Sequence, residues 1–307
     1  MEIILYFPGI FMGWALGAND AANVFGTAVA NSMVRFRTAA ILSSIFITVG
    51  AILEGYRGIE TISSISSQSL VSASISMLAA AISVTLMTRL GIPVSTSQAV
   101  VGSIIGIGLL RNDVNWGILL KVFICWIATP IAAIGVGFLA YRVGSHFFRK
   151  IKSIQKQDMV LKVGAILFGI YGSYALGANN VANVSGVFGD ILGPRMAALV
   201  GGLSISLGVA TYSKRVMMTV GKKIIELDNF SAVVAVFSES LVVWLFALVG
   251  VPVSTSQAIV GGVVGAGMAR GTAMVNRREV SRIVFGWLGT PAISCLVAVP
   301  LYLILVR

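Results

Sequence analysis

Two copies of the segment Pro-Val-Ser-Thr-Ser-Gln, at residues 93–98 and 252–257, hold the polar side chains with the clearest chemistry in this sequence. Each copy follows a Gly-Ile or Gly-Val pair inside an apolar stretch, an order typical of a helix end, a tight turn and a new helix N-terminus. Such an N-terminus presents free N–H groups and the positive end of the helix dipole, and it therefore binds anions. Two of them facing each other would offer a tetrahedral oxyanion the hydroxyl and amide groups of Ser95, Thr96, Ser97, Gln98, Ser254, Thr255, Ser256 and Gln257. In the structural alternative, these residues only cap and pack broken helices.

A second pair of matched segments, Gly-Ala-Asn-Asp-Ala-Ala-Asn at 17–23 and Gly-Ala-Asn-Asn-Val-Ala-Asn at 177–183, is rich in side-chain oxygen atoms. A glycine before Asn-Asp or Asn-Asn is typical of a helix break. Carboxylate and amide oxygens are hard ligands that suit a hard cation. Asp20 and Glu239 are ionisable residues within apolar stretches, and such residues are functional by default in a membrane. We therefore expect a cation site among Asn19, Asp20, Asn23, Asn179, Asn180, Asn183 and Glu239.

Positive charge is scarce around these motifs, because only Arg89, four residues before Pro93, is a basic candidate. An uncompensated anion costs many kcal/mol to bury. Co-bound Na⁺ or H⁺ would neutralise both the anion and Asp20, and would so couple the two fluxes. We favour Na⁺, because Asn, Ser and Thr oxygens coordinate it readily and the single histidine, His146, lies in a basic loop. Arg89 is a lesser candidate, since the aligned residue in the second half is Leu248.

The elements that must position these side chains are membrane helices. The 307-residue chain is 57% hydrophobic and only 11% charged, whereas a soluble domain carries about 25% charged residues. Several apolar runs approach the roughly 20 residues that a membrane helix needs. They cover residues 39–53, 71–87, 124–140 and 283–306. The sequence therefore predicts an all-α polytopic membrane protein.

Composition also argues against several classes of function. A net charge of +11 would indicate nucleic-acid binding in a soluble protein, but here basic loops that set membrane topology explain it. No nucleophile–base set or phosphate-binding P-loop appears in the sequence, which argues against an enzyme. Cys125 and Cys295 lie far apart in apolar segments, which argues against a disulfide or a metal pair. We expect no cofactor and no nucleic-acid partner.

The chain contains an internal repeat. Three blocks recur in the same order at a nearly constant spacing of 159–161 residues: 14–20 at 174–180, 91–98 at 250–257, and 126–130 at 287–291. This order indicates a duplication. We place the boundaries as follows: a first repeat at 1–141 with a re-entrant hairpin at about 69–110, a basic linker at 142–162, and a second repeat at 163–307 with a hairpin at about 229–270.

The charge distribution predicts that the two repeats have opposite orientations. Each half has three full crossings and one hairpin that returns to its own side, so each half crosses an odd number of times. With the 142–162 linker in the cytoplasm, 16 of the 22 Lys and Arg residues lie inside and 4 outside, as the positive-inside rule requires. Both termini are then outside. The hairpins enter from opposite sides, and their tips, 91–98 and 250–257, meet near the middle of the bilayer.

These motifs resemble the signature of the inorganic phosphate transporter family, known as PiT or PHO4. That signature, Gly-Ala-Asn-Asp-x-x-Asn followed in each half by a hairpin with Pro-x-Ser, is matched over nearly the whole chain at 17–23, 93–98, 177–183 and 252–257. The resemblance implies a phosphate symporter driven by Na⁺ or H⁺, with two inverted-topology repeats that each contain broken helices and a re-entrant hairpin. It also implies a homodimer and alternating access, and the short linker fits a prokaryotic protein of the inner (plasma) membrane.

The resemblance also implies roles for individual residues. It implies phosphate binding by the tip residues named above together with Asp20, Asn23, Asn180 and Asn183. It implies Na⁺ binding by Asn19, Asp20, Asn23, Ser97, Asn179, Asn180, Asn183, Glu239 and Ser256. Many members have Asp where this chain has Asn180 and Glu where it has Ile47, so the number and identity of the coupled ions stay open.

Two other functions stay open at this point. One is transport of another tetrahedral oxyanion, such as sulfate or arsenate, because the sequence of a hydroxyl-rich site does not reveal which of these anions it binds best. The other is an anion channel, which differs from a symporter in that it can only equilibrate its ion.

Overall fold

The computed structural model describes residues 2–89, 94–223, 228–271 and 277–306, and all regular secondary structure within these ranges is helical. The first repeat contains α1 (Phe7–Ala30), α2 (Phe36–Glu54), α3 (Tyr56–Ser63), α4 (Leu70–Arg89), α5 (Thr96–Leu110) and α6 (Trp116–Phe148). The second contains α7 (Ile154–Asn180), α8 (Ala182–Ser185), α9 (Gly189–Leu192), α10 (Pro194–Lys223), α11 (Asn229–Val249), α12 (Thr255–Arg270) and α13 (Arg277–Leu305). Short 3₁₀ helices cover Glu2–Tyr6 and Gly186–Phe188.

Seven helical stretches of the described chain are long and apolar enough to cross a membrane. They lie in α2, α4, α6, the segment from α7 to α9, α10, α11 and α13. α1 has 24 residues but is not among the seven, because Asn19, Asp20 and Asn23 interrupt its apolar sequence. α5 is apolar but has only 15 residues, which suits a hairpin arm that starts within the bilayer. This is the all-α polytopic membrane fold that the composition predicts.

The two repeats exchange packing partners. α1 packs against α10 of the second repeat, and α2 packs in the equivalent way against α7. The backbones approach each other closely in both pairs. A Cβ atom on Gly17 of α1 would overlap the carbonyl group of Ile205 in α10. A Cβ atom on Gly177 would likewise overlap the carbonyl group of Ile47. The core is therefore shared between the halves.

The hairpins show the same exchange. α5 packs against α13, and α12 packs against α6. A Cβ atom on Gly102 would overlap the backbone of Pro291, and one on Gly261 would come within 2.6 Å of the carbonyl oxygen of Pro130. These contacts repeat at the spacing of the sequence duplication, 159 residues for the glycines and 161 for the prolines. The repeats are inverted copies related by a pseudo-two-fold axis.

Helix breaks differ between the repeats. α7 ends at Asn180, and three short helical pieces follow before α10 begins. α1, in contrast, runs without interruption through the segment 17–20. The break expected in this first motif is absent, because Gly17 instead allows the close crossing with α10. The first repeat breaks later, where Gly55 separates α2 from α3.

The segment 142–162, which the sequence predicts to be a linker, is mostly helical. α6 extends to Phe148, and α7 begins directly after its N-cap Ser153, whose hydroxyl accepts a hydrogen bond from the Lys156 N–H (3.5 Å). Only residues 149–153 lie between the two helices. The polar composition here marks helix ends that continue beyond the apolar region.

Candidate functional site

The two Ser-Thr-Ser segments begin helices α5 and α12. The hydroxyl groups of Ser95 and Ser254 act as N-caps and accept hydrogen bonds from the backbone N–H of Gln98 (3.4 Å) and Gln257 (3.3 Å). All four residues are buried, so each new helix directs the positive end of its dipole into the protein. The turn at residues 90–93 before α5, with Pro93, and the side chain of Arg89 lie outside the described residues.

The hairpin tips touch each other in the core. The Ser97 hydroxyl donates a hydrogen bond to the backbone carbonyl of Val253, in the extended segment before α12 (3.0 Å). Within the second tip, the hydroxyls of Ser254 and Ser256 hydrogen-bond each other (2.8 Å). The N-termini of α5 and α12 are therefore neighbours.

The last asparagine of each Gly-Ala-Asn motif reaches the tip of the opposite repeat. The Asn183 side-chain amide donates to the Ser97 hydroxyl (2.8 Å), and the Asn23 amide donates to the Thr255 hydroxyl (3.5 Å). Asn23 and Asn183 are 160 residues apart and occupy equivalent positions in the two repeats. The two motifs and the two tips therefore form one site with approximate two-fold symmetry.

Asp20 lies at the centre of this site. Asn180, its equivalent in the second repeat, donates a hydrogen bond from its side-chain amide to Asp20 Oδ2 (3.5 Å). The hydroxyl groups of Thr96 (3.4 Å) and Thr255 also hydrogen-bond the Asp20 carboxylate, one from each tip. Two equivalent residues can contact each other only near the symmetry axis, so Asp20 and Asn180 mark its position. The axis carries one carboxylate and one amide.

Several buried oxygen atoms around this centre have no hydrogen-bond partner in the described part of the chain. These acceptors are Gln98 Oε1, Asn180 Oδ1, Asn183 Oδ1, Gln257 Oε1 and both carboxylate oxygens of Glu239. Glu239 is only 2% exposed on α11 and lies within electrostatic reach of Asp20. An unsatisfied buried polar group costs about 1–3 kcal/mol, and more if it is charged. Oxygen acceptors of this kind are the ligands that a hard cation prefers.

Basic side chains do not compensate these two carboxylates within the described structure. Two ion pairs of the described residues, Lys162–Asp158 and Arg270–Asp228, lie elsewhere. A buried carboxylate without a partner is strongly unfavourable. Among the described residues, therefore, no basic side chain balances this charge, and a bound cation or a proton would do so.

Two of the expected cation ligands have backbone partners. The Asn179 amide donates to the carbonyl groups of Val243 (3.3 Å) and Val251 (3.0 Å), and its oxygen accepts a hydrogen bond from the Val253 N–H (2.8 Å). Asn179 therefore braces the second tip. Asn19 donates to the Ala15 carbonyl on its own helix (3.1 Å). The bracing role of Asn179 has no signal in the sequence, since it depends on which face of α7 meets the tip.

Three further side chains, all from the first repeat, hold the bend of the second hairpin. Arg57 donates to the Leu248 carbonyl (3.2 Å), Lys121 to the Val249 carbonyl (3.0 Å) and Trp126 to the Pro252 carbonyl (3.3 Å). Sequence reasoning assigned them no role at the site. Signals were nevertheless present, because Lys121 is a charge within an apolar helix and Trp126 opens one of the repeated blocks.

Both halves of the sequence match the model of one protein family. Residues 16–160 and, separately, residues 149–298 match the model of the phosphate transporter family, PHO4. The chain belongs to this family. The two PHO4 matches cover one half of the molecule each, which agrees with the duplicated fold.

Individual PHO4 relatives extend over the whole chain. A predicted phosphate permease of Methanocaldococcus jannaschii is 31% identical, over 97% of this chain and 94% of that protein. The sulfate permease CysP of Bacillus subtilis is 28% identical, over 96% of this chain and 85% of that protein. A solved structure described as "The sodium-dependent phosphate transporter" is 26% identical, covers 99% of this chain and 98% of its own, and has a TM-score of 0.85. The membrane fold, the family and the transporter class are therefore shown.

Proposed function

We propose that this chain imports inorganic phosphate together with Na⁺ by alternating access. The observation that carries this proposal is the contact between two buried helix N-termini beside a cluster of unpartnered oxygen acceptors. The first feature favours an anion and the second favours a cation. Their adjacency gives a physical reason for coupled movement, because each ion lowers the cost of burying the other.

The anion half of the site consists of α5 and α12. Their first turns offer backbone N–H groups, and the hydroxyls of Thr96 and Thr255 face the centre, where they hydrogen-bond Asp20. Helix N-termini directed at a buried position bind phosphate groups without a basic side chain. Discontinuous helices of this kind form the substrate sites of many secondary transporters.

Phosphate fits this site better than sulfate does. Near neutral pH, inorganic phosphate retains at least one proton and can donate a hydrogen bond, whereas sulfate can only accept. Asp20 and the unpartnered acceptor Asn180 Oδ1 at the centre can each receive such a bond. Sulfate would leave these acceptors without a donor, and an unsatisfied buried acceptor costs about 1–3 kcal/mol. Sulfate stays the second candidate, because one relative is named a sulfate permease.

The cation half of the site consists of side-chain oxygens. Glu239 contributes two unpartnered carboxylate oxygens, and three of the other unpartnered acceptors come from Gln98, Asn183 and Gln257. Such neutral and anionic oxygens suit Na⁺, and the solved structure that this chain resembles is described as sodium-dependent. The proton is the alternative, since protonation of Asp20 or Glu239 would also remove the unpaired negative charge.

Burial of the site supports alternating access. Asp20 and Thr96 are 8% exposed, and Asn180 and Ser97 are fully buried. An ion at this position has little free access, and in the proposed mechanism it waits for the hairpin tips to move. A channel, in contrast, needs a continuous path. The proposed assembly is a homodimer in the inner (plasma) membrane, with both termini outside and the turn between α6 and α7 in the cytoplasm.

Uptake by purified protein in sealed liposomes tests the proposal. Radiolabelled phosphate is supplied outside under an inward Na⁺ gradient, an inward H⁺ gradient, or no gradient. We expect accumulation above the external concentration with the Na⁺ gradient only. Equal final phosphate concentrations inside and outside in every condition would indicate a channel. Accumulation with the H⁺ gradient alone would identify H⁺, not Na⁺, as the coupling ion.

The same vesicles test the substrate. Excess unlabelled arsenate, which is also protonated near neutral pH, should compete with labelled phosphate. Excess sulfate should leave most of the uptake intact. Complete inhibition by sulfate, together with accumulation of labelled sulfate, would sink the phosphate assignment.

A further inference from the structure

We propose that the turn between α6 and α7 binds the head group of an anionic phospholipid. We refer to residues 142–162, which form this turn and the adjoining helix ends, as the basic turn. It carries six exposed cationic side chains: Arg142, Arg149, Lys150, Lys152, Lys156 and Lys162.

Much of this positive charge has no counter-charge in the described structure. Lys162 pairs with Asp158 (2.7 Å), which is the single acidic residue of the basic turn. The other five cations form no ion pair with a described residue: Arg142, Arg149, Lys150, Lys152 and Lys156. Arg149, Lys150 and Lys152 lie in the short bend between α6 and α7, and Lys156 lies in the first turn of α7, so these like charges repel each other. An anion at this position relieves the repulsion.

Apolar side chains interleaved with the cations favour a lipid as the source of this anion. Phe147, Ile154 and Met159 are 63%, 81% and 65% exposed. The Lys150 ammonium group lies 5.5 Å from the centre of the Phe147 ring. At a membrane surface, such apolar side chains contact acyl chains while the lysine stems direct their ammonium groups to the head-group layer. A free anion would use the charges but leave the apolar side chains exposed.

Helix lengths place the basic turn outside the hydrocarbon core. α6 has 33 residues and α7 has 27. At about 1.5 Å per residue they are about 50 and 40 Å long, whereas the hydrocarbon core is about 30 Å thick. α7 runs from the basic turn to Asn180 in the buried site, so the basic turn lies outside the acyl chains, at a membrane surface whose phosphate groups its lysine side chains can approach. In the proposed topology this is the cytoplasmic leaflet.

Binding of phospholipids to the intact purified protein, counted by native mass spectrometry, tests the inference. The detergent-solubilised protein is titrated with phosphatidylglycerol or with phosphatidylcholine of the same acyl chains. The test variant combines Lys150→Gln and Lys152→Gln. The control combines Arg35→Gln and Arg37→Gln, which removes two exposed charges that the proposed topology places on the same side of the membrane. A third arm repeats the titration with excess free inorganic phosphate.

We expect wild-type protein to retain phosphatidylglycerol in preference to phosphatidylcholine. Each cation near an anionic lipid surface contributes about a five-fold gain in affinity, so the test variant should bind phosphatidylglycerol about 25-fold more weakly. The control variant should keep its preference. Equal retention of the two lipids by wild type, or an equal loss in the control, overturns the proposal. Displacement by free phosphate overturns it in favour of a soluble-anion site.

A single replacement guards against a folding defect in the double variant. Phe147→Ala retains every charge and removes one exposed aromatic ring. We expect weaker retention of both lipids with the same head-group preference. An unchanged affinity for both would show that the apolar side chains play no part, and would contradict a lipid as the occupant.

Discussion

At the residue scale, Asp20 is the most consequential side chain of the molecule. It is the carboxylate on the pseudo-two-fold axis, and it accepts hydrogen bonds from Asn180 and from a threonine of each tip. The side chain therefore contacts both hairpins and both repeats. Changing its charge should alter transport more than it alters folding, because the unpaired buried carboxylate does not itself stabilise the fold.

We expect Asp20→Asn to lower Na⁺-driven phosphate uptake by at least about ten-fold, the effect of losing one hydrogen bond or ion contact to a charged group. The protein should still elute as a folded species. Asp190→Asn is the matched control, because the same substitution there changes an exposed residue outside the site. Uptake at the wild-type rate in Asp20→Asn would contradict a role in ion binding.

Glu239 separates cation binding from anion binding. Its two carboxylate oxygens have no hydrogen-bond partner among the described residues, and an ionised carboxylate has no donor for phosphate. We expect Glu239→Gln to raise the Na⁺ concentration for half-maximal uptake by about ten-fold, with a smaller effect on the apparent KM for phosphate at saturating Na⁺. Glu60→Gln, an exposed residue, serves as control. An increase confined to the KM for phosphate would exclude the assigned role.

At the element scale, the close helix crossings position the site. α1 and α7 bring Asp20 and Asn180 together only because each packs tightly on a helix of the other repeat. At the α1–α10 crossing, a Cβ atom on Gly208 would overlap the Trp14 carbonyl group. The backbones at this crossing are therefore in direct contact, and they have no side chain that can move aside.

We expect Gly208→Ala to destabilise the protein by about 1–3 kcal/mol, the usual cost of overpacking. A lower midpoint of thermal unfolding in detergent would report this. Gly135→Ala is the matched control, since a Cβ atom on this residue of α6 meets no other atom within 4 Å. Replacement there should be neutral or slightly stabilising, by up to about 1 kcal/mol. Equal midpoints for the two variants would count against the packing argument.

The end of α11 gives a second test at this scale. Arg57 and Lys121 donate to the last carbonyl groups of this helix, where cations are also favoured by the helix dipole. We expect Lys121→Met combined with Arg57→Gln to increase amide hydrogen exchange in residues 246–254. Arg195→Gln, an exposed residue that none of these contacts involves, should not. Unchanged exchange would show that the two cations do not hold the bend.

At the scale of the whole molecule, the inverted repeat makes a prediction about sidedness. Arg35 and Arg195 are exposed, 160 residues apart and equivalent by the repeat, yet the topology places them on opposite sides of the membrane. In a background of Cys125→Ser and Cys295→Ser, a membrane-impermeant maleimide applied outside intact cells should label Arg195→Cys only. Arg35→Cys should react after permeabilisation. Labelling of both from one side would refute the inversion.

Sequence patterns predicted those features that depend on local chemistry. The Ser-Thr-Ser runs begin helices, and Ser95 and Ser254 cap them, because N-capping needs only a hydroxyl group and the following N–H. The duplication was equally visible, since its blocks keep both residue type and spacing. The duplication together with the distribution of Lys and Arg predicted that the tips converge, and the Ser97–Val253 contact lies between them.

Features set by packing were not predictable from the sequence. Asn179 and Asn180 are neighbours, but one braces the backbone of a tip and the other faces Asp20. The rotation of α7 decides this, and neighbouring helices determine that rotation. Similarly, α1 continues through its motif while α7 ends in the equivalent one, because packing against other helices outweighs local propensity.

The pairing of Asp20 with Asn180 also bears on how such a chain could arise. Had two separate copies of a half-length protein once assembled in opposite orientations around this axis, both copies would have carried the same residue there, either two carboxylates or two amides. A single acid opposite a single amide requires two copies that mutate independently, as two copies produced by a gene duplication do. The axis therefore records that duplication preceded the present division of charge.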